Sequence, residues 1–128
     1  MKNIVIDTNV IVSAMLSPTG NPAKITALIS GSEDIQVYYS AAVLSEYERV
    51  LAYKRLKIST KMQRAILSSF KMFGIQIDPP VSTIPLPDET DRIFYDTAKA
   101  SGAILITGNT KHYPAEPFIM TPAEFLSK

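Results

Sequence analysis

Short apolar runs alternate along the chain with longer stretches in which apolar side chains recur every three or four residues. Apolar runs rich in β-branched residues predict strands, and the longer spacing predicts helices that bury one face. Alternation of the two kinds of segment is typical of an α/β domain with a mostly parallel central sheet. We therefore predict strands at residues 3–6, 35–39, 75–77, 103–107 and 118–120.

Five polar residues precede the helical stretches and are the expected N-caps, because their side chains can accept hydrogen bonds from unpaired backbone N–H groups. These residues are Asn21, Ser40, Thr60, Asp88 and Thr121. Thr60 and Thr121 are each followed three residues later by Gln or Glu, which is the spacing of a capping box. Prolines within residues 78–87 predict an extended loop before the helix that follows Asp88.

Length and composition narrow the class of protein. The 128 residues suit one domain, predicted over residues 1–128, and 46% of them are hydrophobic, enough to form a buried core. The sequence contains no cysteine, which excludes disulfides, thiolate zinc sites and cysteine nucleophiles. The first apolar run reaches Asp7 after three residues, and a secretion signal or a membrane span needs a longer run. We therefore expect a cytoplasmic protein with no membrane partner.

The formal net charge of +1 conceals an uneven distribution of charge. Residues 49–71 contain basic side chains and no acid, whereas residues 88–96 contain four acids. A protein that binds both a polyanion and a divalent metal needs such an arrangement. A solvated helix face and a capped helix start would explain the same pattern. The basic residues are Arg49, Lys54, Arg55, Lys57, Lys61, Arg64 and Lys71.

The positions of two acids allow both a functional and a structural interpretation. Asp7 follows the first predicted strand directly, and parallel sheets bind ligands beyond the carboxyl ends of their strands. A helix cap or turn residue is the alternative interpretation of Asp7. Glu46 lies near the border of the apolar stripe of its helix, from which it can approach the sheet edge. A solvent-facing Glu46, paired with Arg49 or Lys54, is the alternative.

Other polar residues cluster later in the chain. Asp91 is expected in the first turn of the helix that follows Asp88, where the helix dipole also favours an anion. Asp96 follows one turn later, and Asn109 lies in a turn after the strand at 103–107. His112 is the single histidine, so a zinc site is not expected.

Several segments form a recognisable series. Residues 4–10 contain an apolar strand followed by Asp-Thr-Asn, and residues 40–47 contain a capped helix start followed by Glu. Residues 87–98 form an acid-rich helix opening, residues 104–109 a strand ending in Thr-Gly-Asn, and residues 121–126 a closing helix. In this order the segments resemble the motifs of PIN domains. The series is most similar to the VapC-type toxins of toxin–antitoxin systems.

This resemblance implies a three-layer α/β/α sandwich with a mostly parallel central sheet. It also implies a ribonuclease in which Asp7, Glu46 and Asp91 bind Mg²⁺ or Mn²⁺ and carry catalysis. Three carboxylates that converge repel one another, and a hard cation compensates this repulsion. The ion would activate the water that hydrolyses the RNA phosphodiester.

The same resemblance assigns secondary roles. Asp88, Asp96 and Asn109 are secondary site candidates, and Thr8 and Asn9 are expected to orient the carboxylates. Asn109 departs from the pattern, since many relatives have an acid there. The loss of that charge leaves open whether the site binds one metal ion or two.

The implied partners are an RNA substrate, a cognate antitoxin protein and a second copy of the chain. The residues expected to bind RNA are Arg49, Lys54, Arg55, Lys57, Lys61 and Arg64, and Tyr53 lies among them. A receiver-like phosphoryl-transfer domain would instead need a second acid beside Asp7 and a lysine late in the sheet. Residues 7–9 contain no second acid, and Lys111 is the lysine that most closely follows the strand at 103–107. A PIN-like module that binds RNA or a partner without catalysis is a second alternative, favoured by Asn109.

Overall fold

A five-stranded parallel sheet forms the centre of the computed structural model, which describes residues 1–127. The strands are β1 Lys2–Ile6, β2 Ile35–Tyr39, β3 Ile75–Gln76, β4 Ile104–Ile106 and β5 Ile119–Met120. The α-helices of the described residues are α1 Thr8–Leu16, α2 Asn21–Gly31, α3 Ala41–Leu51, α4 Thr60–Phe73, α5 Arg92–Ser101 and α6 Pro122–Leu126. This arrangement confirms the predicted α/β sandwich.

The strand order β3-β2-β1-β4-β5 makes β1 the central strand. Ile4 of β1 aligns with Val37 of β2 on one side and with Ile104 of β4 on the other. Ile4, Val5 and Ile6 are fully buried, as expected for a parallel strand covered on both faces. The strand order reverses beside β1, so its carboxyl end lies at the position where α/β sheets bind ligands.

The sequence did not predict α1. Its sequence TNVIVSAML is apolar on most sides, so it lacks the one-sided spacing by which a surface helix is recognised. Val10, Ile11 and Ala14 are buried in the core. The helix begins directly after Asp7, which occupies its N-cap position without forming a side-chain capping hydrogen bond. The alternative interpretation of Asp7 as a helix cap is therefore correct for its position, although its side chain does not act as a cap.

Two of the predicted helix starts are wrong by one residue. Gly20, not Asn21, is the N-cap of α2, and Ser59, not Thr60, caps α4. The Ser59 hydroxyl accepts a hydrogen bond from the Met62 N–H at 3.2 Å. Neighbouring polar residues compete for such positions, and the backbone conformation decides between them. Two other caps behave as predicted: Ser40 caps α3, and Thr121 begins α6 with a capping box.

The start of α5 differs from the prediction. Asp88 caps a short 3₁₀ turn, Glu89–Asp91, because its carboxylate accepts the Thr90 N–H at 3.0 Å. The α-helix proper begins at Arg92. Asp91 therefore lies at the N-cap position of α5 and not within its first turn, and its side chain forms no capping hydrogen bond.

The proline-rich segment before α5 is extended, as predicted, and two side chains of α5 bind it. Arg92 donates hydrogen bonds to the carbonyl oxygens of Ser82 at 2.9 Å and Ile84 at 2.8 Å. The Asp96 carboxylate accepts the Ser82 N–H at 3.0 Å.

None of the helices within residues 1–127 has the length and hydrophobicity that a membrane span requires.

Candidate active site

Asp7 lies at the carboxyl end of β1, where its side chain is 6% exposed. Its Oδ2 accepts two hydrogen bonds from later parts of the chain. Thr107 Oγ1 donates one at 2.9 Å, and the Tyr113 hydroxyl donates the other at 2.8 Å. The Asp7 carboxylate is therefore held in one orientation by hydroxyl groups that follow β4.

The ionisation of Asp7 reflects two opposing influences. Burial raises the pKa of its carboxyl, because desolvation penalises the charged form. Hydrogen bonds from Tyr113 and Thr107 lower the pKa, and the backbone amides of Asn9 and Thr8 act in the same direction. The net result is a pKa above the ordinary value of 3.8. A cation beside this buried carboxylate would relieve the cost of its charge.

Glu46 is positioned by its neighbour Tyr47. Tyr47 is fully buried, and its hydroxyl donates a hydrogen bond to the carbonyl oxygen of Ile6. This contact fixes α3 against the end of β1. The Glu46 carboxylate accepts hydrogen bonds from Arg49 Nη2 at 2.7 and 2.6 Å. The pairing with Arg49 that we considered as an alternative is therefore present, although Glu46 is not fully exposed.

Asp91 is the third acid, and its side chain is 14% exposed. Burial, together with the charges of Asp7, Asp88 and Glu46, raises the pKa of Asp91 to about 6, while His112 opposes the shift. The charges of Asp7 and Glu46 therefore act on the same carboxyl group. Asp91 Oδ2 is buried and accepts no hydrogen bond, although His112 Nδ1 lies 3.5 Å away.

These observations test whether the residues fit a divalent cation. All the side-chain donors are oxygens, which are the ligands that Mg²⁺ and Mn²⁺ prefer. The carboxylates influence one another's ionisation, and one buried oxygen has no partner. No three acidic, His or Cys side chains among residues 1–127 are already arranged as a metal site, and Glu46 is engaged by Arg49. The residue set fits a hard cation, but its side chains are not preformed for one.

Residues 3–111 match the family model of the PIN domain. The chain belongs to the PIN domain family. An uncharacterized protein of Methanocaldococcus jannaschii is similar to this PIN domain, with 38% identity over 109 residues that cover 83% of this chain and 70% of that protein.

Two solved structures share the fold of this PIN domain. VapBC2 from Rickettsia felis, bound to a DNA fragment from the promoter, has a TM-score of 0.56 and 18% identity, covering 93% of this chain and 96% of that one. A protein from Pyrobaculum aerophilum has a TM-score of 0.62 and 16% identity, covering 98% and 88%. At these identities the similarity concerns the fold.

The secondary candidates of this PIN domain occupy different surroundings. Asp88 is exposed, and hydrogen bonds from Thr90 lower the pKa of its carboxyl. Asp96 is buried and binds the proline-rich segment, with Oδ1 unpartnered. The Thr8 hydroxyl is also buried without a partner. Asp88 acts on the site through its charge, whereas the Asp96 carboxylate contacts Ser82 instead of the other acids.

Asn9 and Asn109 lie together after β1 and β4. Asn9 Oδ1 accepts the Gly108 N–H at 3.1 Å, and the Asn109 N–H donates to Thr107 Oγ1 at 3.2 Å. Asn109 Nδ2 lies 2.9 Å from His112 Nε2. Both asparagines also line a cavity of about 400 Å³. Asn9 thus orders the turn that follows β4, and Thr107 connects this turn to Asp7.

Sequence reasoning missed three residues that position the acids: Tyr47, Thr107 and Tyr113. Tyr47 lies on the buried face of α3, but no local pattern indicates that its hydroxyl contacts Ile6. Thr107 and Tyr113 lie 100 and 106 residues after Asp7, so no local pattern connects them. Their shared feature is a buried side chain with a hydroxyl group, which needs a hydrogen-bond partner.

The basic stretch of this PIN domain surrounds Tyr53. The guanidinium carbons of Arg49 and Arg55 lie 5.7 and 5.4 Å from the centre of its ring, and the Arg49 Nη1 group donates to its hydroxyl. Tyr53 itself is half-buried. The other basic residues proposed for RNA binding are exposed: Lys54, Lys57, Lys61 and Arg64.

We predict that the Asp91 carboxyl titrates near pH 6 in the metal-free protein. The folded pKa lies above the ordinary 3.8, so the unfolded chain loses this proton first as pH rises. The contribution of Asp91 to the free energy of unfolding therefore falls between about pH 4 and 6 and stays reduced above that window. Carbon-13 NMR of the side-chain carboxyl would measure the midpoint. Asp7→Asn should lower it, and the exposed Glu33→Gln should not. A midpoint near 4 would contradict the prediction.

Proposed function

We propose that this PIN domain is a metal-dependent endoribonuclease in which Asp7, Glu46 and Asp91 bind Mg²⁺ or Mn²⁺. The observation that carries the proposal is the buried Oδ2 of Asp91, which has no hydrogen-bond partner and lies where the charges of Asp7 and Glu46 both act on it. Three carboxyl groups from separate elements therefore share one electrostatic environment beside the end of the central strand. PIN domains are generally nucleases that use divalent metals, which supports the same conclusion.

Each residue has a defined part in the proposed reaction. When bound, a divalent ion supplies Lewis acidity, which activates water and offsets negative charge on the phosphodiester. Thr107 and Tyr113 fix the orientation of the Asp7 carboxylate. Tyr47 fixes α3 so that Glu46 stays near the end of β1. The partly buried position of Asp91 limits the water that competes for its free oxygen.

The basic residues after Glu46 are proposed to bind the RNA backbone. They are exposed side chains within residues 49–64, where the chain contains no acid. Contacts of this kind release counterions from the nucleic acid, so the affinity should fall as the salt concentration rises. Once a guanidinium that contacts the Tyr53 ring moves to an RNA phosphate, the ring can stack against an unpaired base. We therefore favour single-stranded RNA as the substrate.

We place the activity in the toxin component of a toxin–antitoxin pair. The fold similarity to VapBC2 from Rickettsia felis supports this setting, with a cognate antitoxin as the partner. A homodimer and a cytoplasmic location belong to the same proposal. A second candidate function is binding of RNA or of a partner without catalysis. Asn109, in place of an acid, and the pairing of Glu46 with Arg49 favour this candidate.

The deciding experiment is cleavage of end-labelled single-stranded RNA by the purified protein. We expect cleavage in Mn²⁺ or Mg²⁺ and none in EDTA, with activity restored by excess metal. Calorimetry should detect binding of Mn²⁺ in the absence of RNA. Cleavage that persists in EDTA would overturn the proposed mechanism. No binding of Mn²⁺ at millimolar concentration, either to the free protein or to its complex with RNA, would instead support the non-catalytic alternative.

A further inference from the structure

Arg49 connects the acidic site with the basic surface. It lies on α3 one turn after Glu46, and its Nη2 group donates to both Glu46 oxygens at 2.6 and 2.7 Å. Its Nη1 group donates to the Tyr53 hydroxyl, and its guanidinium carbon lies 5.7 Å from the centre of the Tyr53 ring. One side chain thus contacts both a proposed metal ligand and the surface proposed to bind RNA.

The Glu46–Arg49 pair opposes metal binding. Both Glu46 oxygens accept hydrogen bonds from one guanidinium, so a cation must displace Arg49 before it can use this carboxylate fully. The Arg49 side chain is 58% exposed, and exposed ion pairs are weak because water screens them. A phosphate diester offers the guanidinium an equivalent pair of acceptor oxygens. Phosphate can therefore replace the carboxylate at little cost.

We propose that the ion pair with Arg49 keeps the Glu46 carboxylate from the metal until RNA binds. The Arg49 guanidinium then forms its hydrogen bonds with an RNA phosphate, and a base stacks on Tyr53. The Glu46 carboxylate thereby becomes available to the metal. This inference rests on the proposed function and adds a mode of regulation to it. Because binding free energies are reciprocal, RNA and metal should each increase the affinity of the protein for the other. The site would be completed only when substrate is present.

Arg55 provides a matched control. Its guanidinium carbon lies 5.4 Å from the centre of the same Tyr53 ring, which is close to the Arg49 distance. Glu46 forms its ion pair with Arg49 and not with Arg55. Substituting either arginine removes one positive charge beside Tyr53, but only substitution of Arg49 frees Glu46. Arg49→Lys keeps the charge and removes the forked donor, so it separates the pairing from general electrostatics.

The experiment is titration of Mn²⁺ into RNA-free protein by calorimetry, for the wild type and the variants R49Q, R49K and R55Q. We expect R49Q to bind Mn²⁺ about three- to fivefold more tightly than the wild type, because fivefold corresponds to about 1 kcal/mol, the upper value for an exposed ion pair. The Mn²⁺ affinity of R49K should lie between those of R49Q and the wild type. The Mn²⁺ affinity of R55Q should match that of the wild type. In EDTA, fluorescence anisotropy should show weaker RNA binding by both R49Q and R55Q. Thermal melts confirm that each variant is folded.

The outcomes separate the inference from the function on which it rests. Unchanged Mn²⁺ affinity in R49Q, or equal tightening in R55Q, would overturn the role of Arg49 while leaving the metal site in place. Wild-type affinity in R49K with tightening in R49Q would indicate loss of charge alone and would also overturn it. If Asp7→Asn bound Mn²⁺ as tightly as the wild type, the proposed metal site itself would fail.

Discussion

We expect replacement of Asp7 by asparagine to lower kcat for the proposed metal-dependent RNA cleavage by about 100-fold or more, while the protein remains folded. A metal ion contributes several kcal/mol of transition-state stabilisation, and each 1.4 kcal/mol corresponds to about tenfold in rate. Asparagine offers a neutral amide oxygen in place of a carboxylate, so the ion is held less tightly. Single-turnover cleavage of labelled RNA at saturating protein would measure the effect.

The same substitution should not lower stability in the absence of metal. Burial raises the pKa of the Asp7 carboxyl, so at neutral pH its charge is a cost to the folded state. Asparagine removes this charge and keeps an oxygen that can accept from Thr107 and Tyr113. Urea unfolding in EDTA should therefore give a free energy of unfolding equal to or above that of the wild type. The exposed Glu48→Gln on α3 is the control and should leave cleavage unchanged. Full activity of Asp7→Asn would reject the assignment.

Replacing Tyr47 by alanine lowers the free energy of unfolding by about 3–5 kcal/mol, as for other large buried aromatic residues. Tyr47 is fully buried, and its ring centre lies 4.8 Å from that of Phe70 and 6.2 Å from that of Phe94. The substitution removes these contacts together with the hydrogen bond to Ile6. Natural domains have about 5–15 kcal/mol of stability in total, so this loss is a large fraction of the free energy of unfolding.

Tyr47→Phe separates packing from hydrogen bonding at this position. It keeps the ring and removes the hydroxyl that contacts Ile6, so we expect a loss of about 1 kcal/mol. Ser45→Ala, at an exposed position of α3, should change stability by no more than about 0.5 kcal/mol. Urea denaturation monitored by circular dichroism would measure all three variants. A Tyr47→Ala protein as stable as Ser45→Ala would contradict the packing described here.

Much of the fold follows from local sequence patterns. The strand predicted at residues 35–39 has those bounds, and Ser40 caps the helix that follows. In both cases apolar residues and a polar cap occur within a few positions of each other. The helix at Thr8–Leu16 escaped prediction because its apolar residues cover most of its surface. Whether this segment forms a helix depends on contacts with the sheet and the helices that bury it.

The candidate site was predictable only in part. Asp7 was singled out by its place after a buried strand, and Glu46 and Asp91 by resemblance to PIN domains. Local spacing cannot indicate that hydroxyl groups after β4 hold the Asp7 carboxylate. Nor can it decide whether Glu46 faces a metal or pairs with Arg49, since both arrangements satisfy the same helical spacing. Such choices depend on three-dimensional neighbours.

The contacts of Asp7 have a consequence for how the protein is made. Its hydrogen-bond donors, Thr107 and Tyr113, lie 100 and 106 residues later in the chain. All three acids will have emerged from a ribosome before these donors do. A nascent chain therefore contains every proposed metal ligand while it still lacks the groups that orient Asp7. We therefore expect the Asp7 carboxylate to gain its orientation only after the segment that contains Thr107 and Tyr113 has been made.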